Sequence, residues 1–160
     1  MRIILTVAAL IAALATAPTP QTVDLEKEKG EILRLHELDR AAHLNDSAAD
    51  LVSRLAPELL SVAEGKIIRQ SREENRKLFE EYFRGSKHTA WDDLEPPIIR
   101  ISPDGQMAWA IYRVHSRYEQ TKGDGKKEVT EFVAAWMSAY EKRNGRWEMT
   151  AVTSTFEPNP

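Results

Sequence analysis

Apolar residues recur at three- and four-residue steps through the first half of the chain and at every second position through the last third. In the first part, Ile32, Leu35, Leu38 and Ala42 predict a long amphipathic helix over residues 23–45. Gly30 inside it costs about 1 kcal/mol relative to alanine, so its first two turns are expected to fray. Asp46 or Ser47 is placed to cap a second helix, whose apolar side is Ala48, Leu51, Val52 and Leu55. Pro57 ends it, because proline has no N–H for the helix ladder. Residues 59–63 and 66–69 read as short strands around Glu64-Gly65. Ser71-Arg72-Glu73-Glu74 is a capping box. It opens a third helix over 72–84, with Leu78, Phe79, Tyr82 and Phe83 on one side and Gly85 as a left-handed terminator.

From Ser86 onward the period is two. Strands are expected over 87–93 and 98–102, separated by Pro96-Pro97, then over 107–118, 128–142 and 147–156. Ser102-Pro103-Asp104-Gly105 has the residues of a type I turn. Asn144-Gly145 is the hairpin dipeptide. Three helices followed by long antiparallel strands give an α+β domain with its helices on one face of a sheet.

The N-terminus stands apart from this pattern. Met1-Arg2 precedes an uncharged run over 3–15 that is too short for a bilayer core of ~30 Å. We expect a signal peptide over 1–17, cut near Ala15 or Ala17, a spacer over 18–23 and a secreted or periplasmic product with no stable membrane span after processing. An uncleaved anchor is the alternative. A net charge of −3 argues against a nucleic-acid-binding surface. With no cysteine, thiol catalysis and disulfide scaffolds are excluded.

The order helix, helix, short strand, helix and bent sheet resembles the nuclear transport factor 2-like superfamily, nearest its SnoaL-like and ketosteroid-isomerase-like branch. The likeness rests on Leu44-Asn45-Asp46 at the end of the first helix and on Ser71-Arg72-Glu73-Glu74 before Phe79–Phe83. It rests equally on Ser102-Pro103-Asp104-Gly105 before Ala108-Trp109, and on Asn144-Gly145-Arg146-Trp147 opening the last strand. It implies a cone-shaped barrel over 24–157, in which a strongly curved antiparallel sheet wraps the first helix and leaves a pocket. A homodimer through the sheet is expected with it. Ketosteroid isomerases combine a carboxylate base with a tyrosine and a protonated aspartate. The first helix here has no tyrosine and the three long strands have no aspartate, so those roles are not carried over.

The residues themselves offer other candidates. His36, Asp39 and His43 fall within about 60° of arc on the first helix. Asp39 and His43, one turn apart, suit a base oriented by a carboxylate. Asp92 beside the Pro-Pro break is a second candidate base, expected to share a face with His88 while Trp91 and Asp93 take the other. Arg113 and His115 lie on the strand that carries Trp109 and Ile111, and Glu131 is the expected partner of Arg113. Trp109, Trp136 and Tyr140, with Phe132 in phase with Trp136, either fill the cone or line it. The sequence therefore predicts an exported protein that binds a small apolar or partly polar molecule in an aromatic-lined pocket, needing no metal or organic cofactor. The alternatives are a cofactor-independent isomerase, cyclase or dehydratase with a His/Asp proton shuttle, and a structural dimeric accessory protein.

Overall fold

A computed structural model of the protein describes residues 23–157. The expected signal peptide and most of the spacer lie outside them. Helix α1 (Leu25–Leu44) is followed by α2 (Ala48–Val52), β1 (Leu55–Ala63), β2 (Lys66–Ser71) and α3 (Arg72–Phe83). Strands β3 (Ser86–Asp93), β4 (Ile98–Ile101), β5 (Met107–Thr121), β6 (Lys127–Arg143) and β7 (Arg146–Phe156) complete the domain. The strand order is β2-β1-β7-β6-β5-β3, with β4 also on β5. The sheet is open, curved and mostly antiparallel, and the architecture is α+β.

Local chemistry fixes the ends of these elements. Asp24 caps α1 by accepting from the Lys27 N–H at 3.0 Å, and the helix runs unbroken through Gly30, against the expected fraying. Ser71 and Glu74 form the reciprocal capping box of α3. Asn144 and Gly145 both take positive φ (51° and 76°), the two left-handed residues of a tight hairpin. Glu64 and Gly65 do the same between β1 and β2.

Two expectations fail on one segment. Helix α2 stops at Val52, and Leu55 and Pro57 belong to β1. The Arg54 carbonyl accepts from the Met149 N–H at 2.9 Å, which draws the chain onto the sheet. Pro57 is tolerated there because the β1–β7 ladder shifts register between Leu55 and Leu60, where no N–H is demanded of it. The pairing of β1 with β7 is parallel, so the sheet is not wholly antiparallel. Parallel neighbours need a long crossover, and here nearly the whole domain separates the two strands.

Core packing is concentrated under the first half of α1. Ile32 and Leu35 meet Leu55, Tyr112, Tyr140, Trp147 and Met149. Ile32 has no exposed surface, and truncating such a side chain to alanine costs about 2–5 kcal/mol. Beyond Asp39 the space between helix and sheet is hollow.

Candidate functional site

The hollow is a cavity of about 700 Å³ between α1, α3 and the concave face of the sheet. Alternation aims the even-numbered residues of β6 and the last residues of β7 inward. Phe132, Trp136 and Phe156 thus reach the wall, joined by Trp91 from β3 and Tyr118 from β5. Phe79 and Tyr82 cover it from α3, and Leu55 and Leu59 close it from β1. Most of this lining is apolar.

Asp39, His43 and Arg54 form its polar end. Arg54 lies between α2 and β1, is buried, and pairs through Nη2 with Oδ1 of Asp39. Burial pulls its guanidinium down to about 10, still charged at neutral pH, with the Tyr140 and Tyr112 hydroxyls close enough to act on it. Its Nε and Nη1 have no hydrogen-bond partner among the described residues, and the same holds for Trp91 Nε1 and Ser138 Oγ. His43 stacks on Trp91, with ring centroids 3.5 Å apart. Its Nδ1 lies 2.9 Å from the Asp39 carbonyl oxygen. A carbonyl can only accept, so Nδ1 carries the proton and Nε2 keeps a free lone pair. Burial, with His88 nearby, pushes the His43 imidazole down to about 3, so it is neutral. It is an acceptor on the same cavity wall as the unpartnered nitrogens of Arg54 and Trp91.

A second chain of hydrogen bonds reaches the cavity from the side. Asp46 Oδ1 accepts from His88 Nδ1 at 2.6 Å, and His88 Nε2 lies 2.9 Å from the Tyr82 hydroxyl. Burial raises the Tyr82 hydroxyl above the usual phenol range, so it is protonated and donates to His88.

Of the residues singled out in the sequence, Asp39, His43, Trp91, Phe132 and Trp136 lie on the cavity wall. The others do not. Asp92 is exposed and pairs with Arg40 at 3.1 Å. It does not share a face with His88, because the β3–β5 ladder shifts register between His88 and Ala90. That bulge turns His88 inward with Trp91 and leaves Asp92 outside. Trp109 is 40 % exposed on the convex face, as are its neighbours in phase on β5, Arg113 and His115. Glu131 pairs with His115 at 2.6 Å rather than with Arg113, which pairs with Glu157 at 2.5 Å. The β5 outer face is therefore not covered by the described residues. His36 and Tyr140 are buried outside the cavity. His36 donates Nε2–H to Asp93 at 2.8 Å and stacks on Tyr112, whose hydroxyl lies 3.1 Å from that of Tyr140. Asp39 orients His43 through its backbone carbonyl, while its carboxylate is given to Arg54.

Arg54 is the residue the sequence reasoning missed. Its signal was a lone arginine within Leu51-Val52-Ser53-Arg54-Leu55, a charge where the pattern is apolar. Nothing local marked Ser138 or the reach of Asp46 to His88. Among the described residues no group of three or more His, Asp or Glu side chains is arranged to hold a metal ion. No helix there is long and apolar enough to cross a membrane.

No family model matches the chain, and no curated protein is similar to it in sequence. Solved structures are. A provisionally assigned scytalone dehydratase from Novosphingobium aromaticivorans aligns with a TM-score of 0.68 at 14% identity, over 84% of this chain and 87% of that one. An NTF2-like protein from Cytophaga hutchinsonii aligns at 0.63 and 16% identity, over 80% and 97%. A provisionally assigned calcium/calmodulin-dependent protein kinase II association domain from Xanthomonas campestris aligns at 0.57 and 21%, over 81% and 88%. At these identities the likeness establishes the fold, which is NTF2-like, and leaves the chemistry to the site.

Proposed function

We propose that this NTF2-like fold binds a small, largely apolar molecule in the cavity beside α1. The volume lies within the usual range for small-molecule sites, roughly 300–1,000 Å³. One observation carries the reading. Buried polar atoms in folded proteins are nearly always hydrogen-bonded. Four side chains here hold buried atoms without partners among the described residues, and three of them, Arg54, Trp91 and Ser138, border this cavity. The test is saturable binding of the neutral dye Nile red, together with mass spectrometry of an organic extract of the purified protein. One dye per chain, lost when Ala134→Phe fills the hollow, supports the reading. A protein that neither takes up the dye nor carries a guest overturns it.

A second reading has its own observation. The Tyr82 hydroxyl, backed by His88 and Asp46, borders the same cavity as His43, which suits an isomerase, cyclase or dehydratase that moves a proton. In such an enzyme Tyr82 and His43 touch the substrate, and Asp92 has no part. Deuterium entering a bound guest in heavy water, and its loss in Tyr82→Phe, would favour this reading over simple binding.

Export and a homodimer complete the proposal. On the convex face Trp109 and Met137, 40 % and 43 % exposed, flank Ile111. A second copy would cover them, and light scattering on a sizing column reads the mass directly.

A further inference from the structure

We infer that the guest is a monocarboxylic acid with an apolar body, its carboxyl group lodged among Arg54, Trp91, Ser138 and His43 and carried in with one proton. This rests on the binding reading above and adds to it the chemistry of the guest.

The argument starts from what the wall lacks. Arg54 Nε, Arg54 Nη1 and Trp91 Nε1 are donors only, and Ser138 Oγ can donate or accept. All three residues border one cavity. Arg54 and His43 are tied together through Asp39, and His43 lies flat on Trp91. The unanswered set is thus three nitrogens carrying four N–H donors, and a hydroxyl, against one vacant acceptor, His43 Nε2. A ketone or an alcohol has one oxygen and leaves part of this set unanswered. A carboxyl group brings two oxygens with four lone pairs, and its proton answers Nε2.

Charge narrows the choice further. Asp39 already neutralises Arg54, so a bare anion would leave a net negative charge in a largely apolar cavity. A carboxyl group that shares one proton with the imidazole leaves none. The titratable groups that line the cavity with His43 are Asp39 on α1, Arg54 before β1, Tyr82 on α3, Tyr118 on β5 and Glu157 after β7. The His88 ring on β3 lies 5.9 Å from that of His43. Glu157 is exposed and paired with Arg113. His88 has both nitrogens engaged, by Asp46 and Tyr82. The free nitrogen available to the proton is therefore that of His43. In the empty cavity this imidazole sits at about 3, and free carboxylic acids of this kind lose their proton near pH 4–5. Neither partner holds a proton alone at neutral pH, and together they hold one. Binding then takes up a proton.

The experiment uses the whole folded protein and matched probes: octanoate, octanamide and octanol competing with Nile red. Octanoate is expected to displace the dye best at low pH, its affinity falling about tenfold for each unit from about pH 5.5 to about pH 7.5, while the two neutral probes stay flat. Calorimetry in two buffers of different ionisation heat is expected to show close to one proton taken up per site. Arg54→Met is expected to weaken octanoate by about tenfold or more and octanamide by less than about threefold. Trp91→Phe removes a donor without touching charge and is expected to weaken octanoate several-fold. The wild-type pH slope decides the matter even where a variant folds poorly. Octanamide or octanol displacing the dye as well as octanoate, a flat octanoate slope, or dye binding that no octyl probe displaces would overturn the inference and leave the cavity reading standing. A protein that neither binds the dye nor carries a guest overturns both.

Discussion

Glu28 on α1 and Arg54, paired with Asp39 of the same helix, are both buried charges, and the fold treats them in opposite ways. Glu28, in the first turn, has both oxygens answered. Lys142 Nζ donates to one at 2.5 Å and Trp147 Nε1 to the other at 2.7 Å. The Lys142 bond holds its carboxyl below the usual carboxylate range. Lys142 also lies over the Trp147 ring, 5.4 Å from its centroid. This cluster is closed and pins the start of α1 to the β6–β7 hairpin. Arg54 has Asp39 on one nitrogen and no partner among the described residues on two others. A buried ion pair by itself says little about function, since desolvation offsets most of its attraction. The informative difference is the unmet hydrogen bonds, which a structural pair does not leave behind.

The sharpest way to break this comparison is to remove one partner at a time. Asp39→Ala leaves the Arg54 charge buried and unpaired, and is expected to cost about 3–5 kcal/mol in urea unfolding. The double variant Asp39→Leu with Arg54→Met is expected to recover at least half of that, because it removes the stranded charge as well. A double variant no better than the single one would show that the pair acts through packing alone. Glu28→Ala strands Lys142 and the Trp147 N–H, and is expected to cost about 2–3 kcal/mol while leaving Nile red binding unchanged. Loss of dye binding in that variant would mean that the two ends of α1 are not separate.

Acid separates the two regions by pH. The folded value of His43 lies far below its unfolded value, so the unfolded chain binds a proton that the native chain refuses. Stability from this group is fully present above about pH 6.5 and falls by about 1.4 kcal/mol per unit below it. Between about pH 6.5 and about pH 5 that is roughly 2 kcal/mol, and His43→Gln is expected to flatten this part of the curve. Glu28 has the opposite charge type and a lower window. Its stabilisation is present above the ordinary carboxylate value and is lost as the pH falls through its depressed one. Glu28→Gln is therefore expected to change the curve only below about pH 4.5.

How much of this could be read from the sequence differs between fold and site. Periodicity and caps are local, so α1, the Ser71–Glu74 box and the Asn144-Gly145 hairpin could be read directly. The cavity wall could be read in part, because Phe132 and Trp136 follow from strand alternation. Three features could not. The parallel seat of β1 on β7 depends on residues about ninety positions apart. The bulge at Thr89 inverts the phase of β3, which puts His88 inside and Asp92 outside. Arg54 gains its meaning only from Asp39 and the hollow beside it. Alternation also could not say which face of β5 meets the cavity, so nothing in the pattern placed Trp109, Arg113 and His115 on the outer face.

The finest test of the comparison lies in two serines. Ser116 and Ser138 both have no exposed surface and a hydroxyl without a partner among the described residues, but only Ser138 borders the cavity. Replacing either by alanine removes a buried polar atom and no hydrogen bond. Both variants are expected to be neutral or to gain up to about 1 kcal/mol in the empty protein. They should part company once a guest is present. Ser116→Ala keeps the wild-type octanoate affinity, while Ser138→Ala loses a few-fold because its hydroxyl then has work to do. Asp92→Ala, on the outer surface, is expected to stay within about 0.5 kcal/mol of wild type and to leave binding untouched. Equal behaviour of the two serines with guest bound would place the unmet hydrogen bonds among the ordinary imperfections of a core.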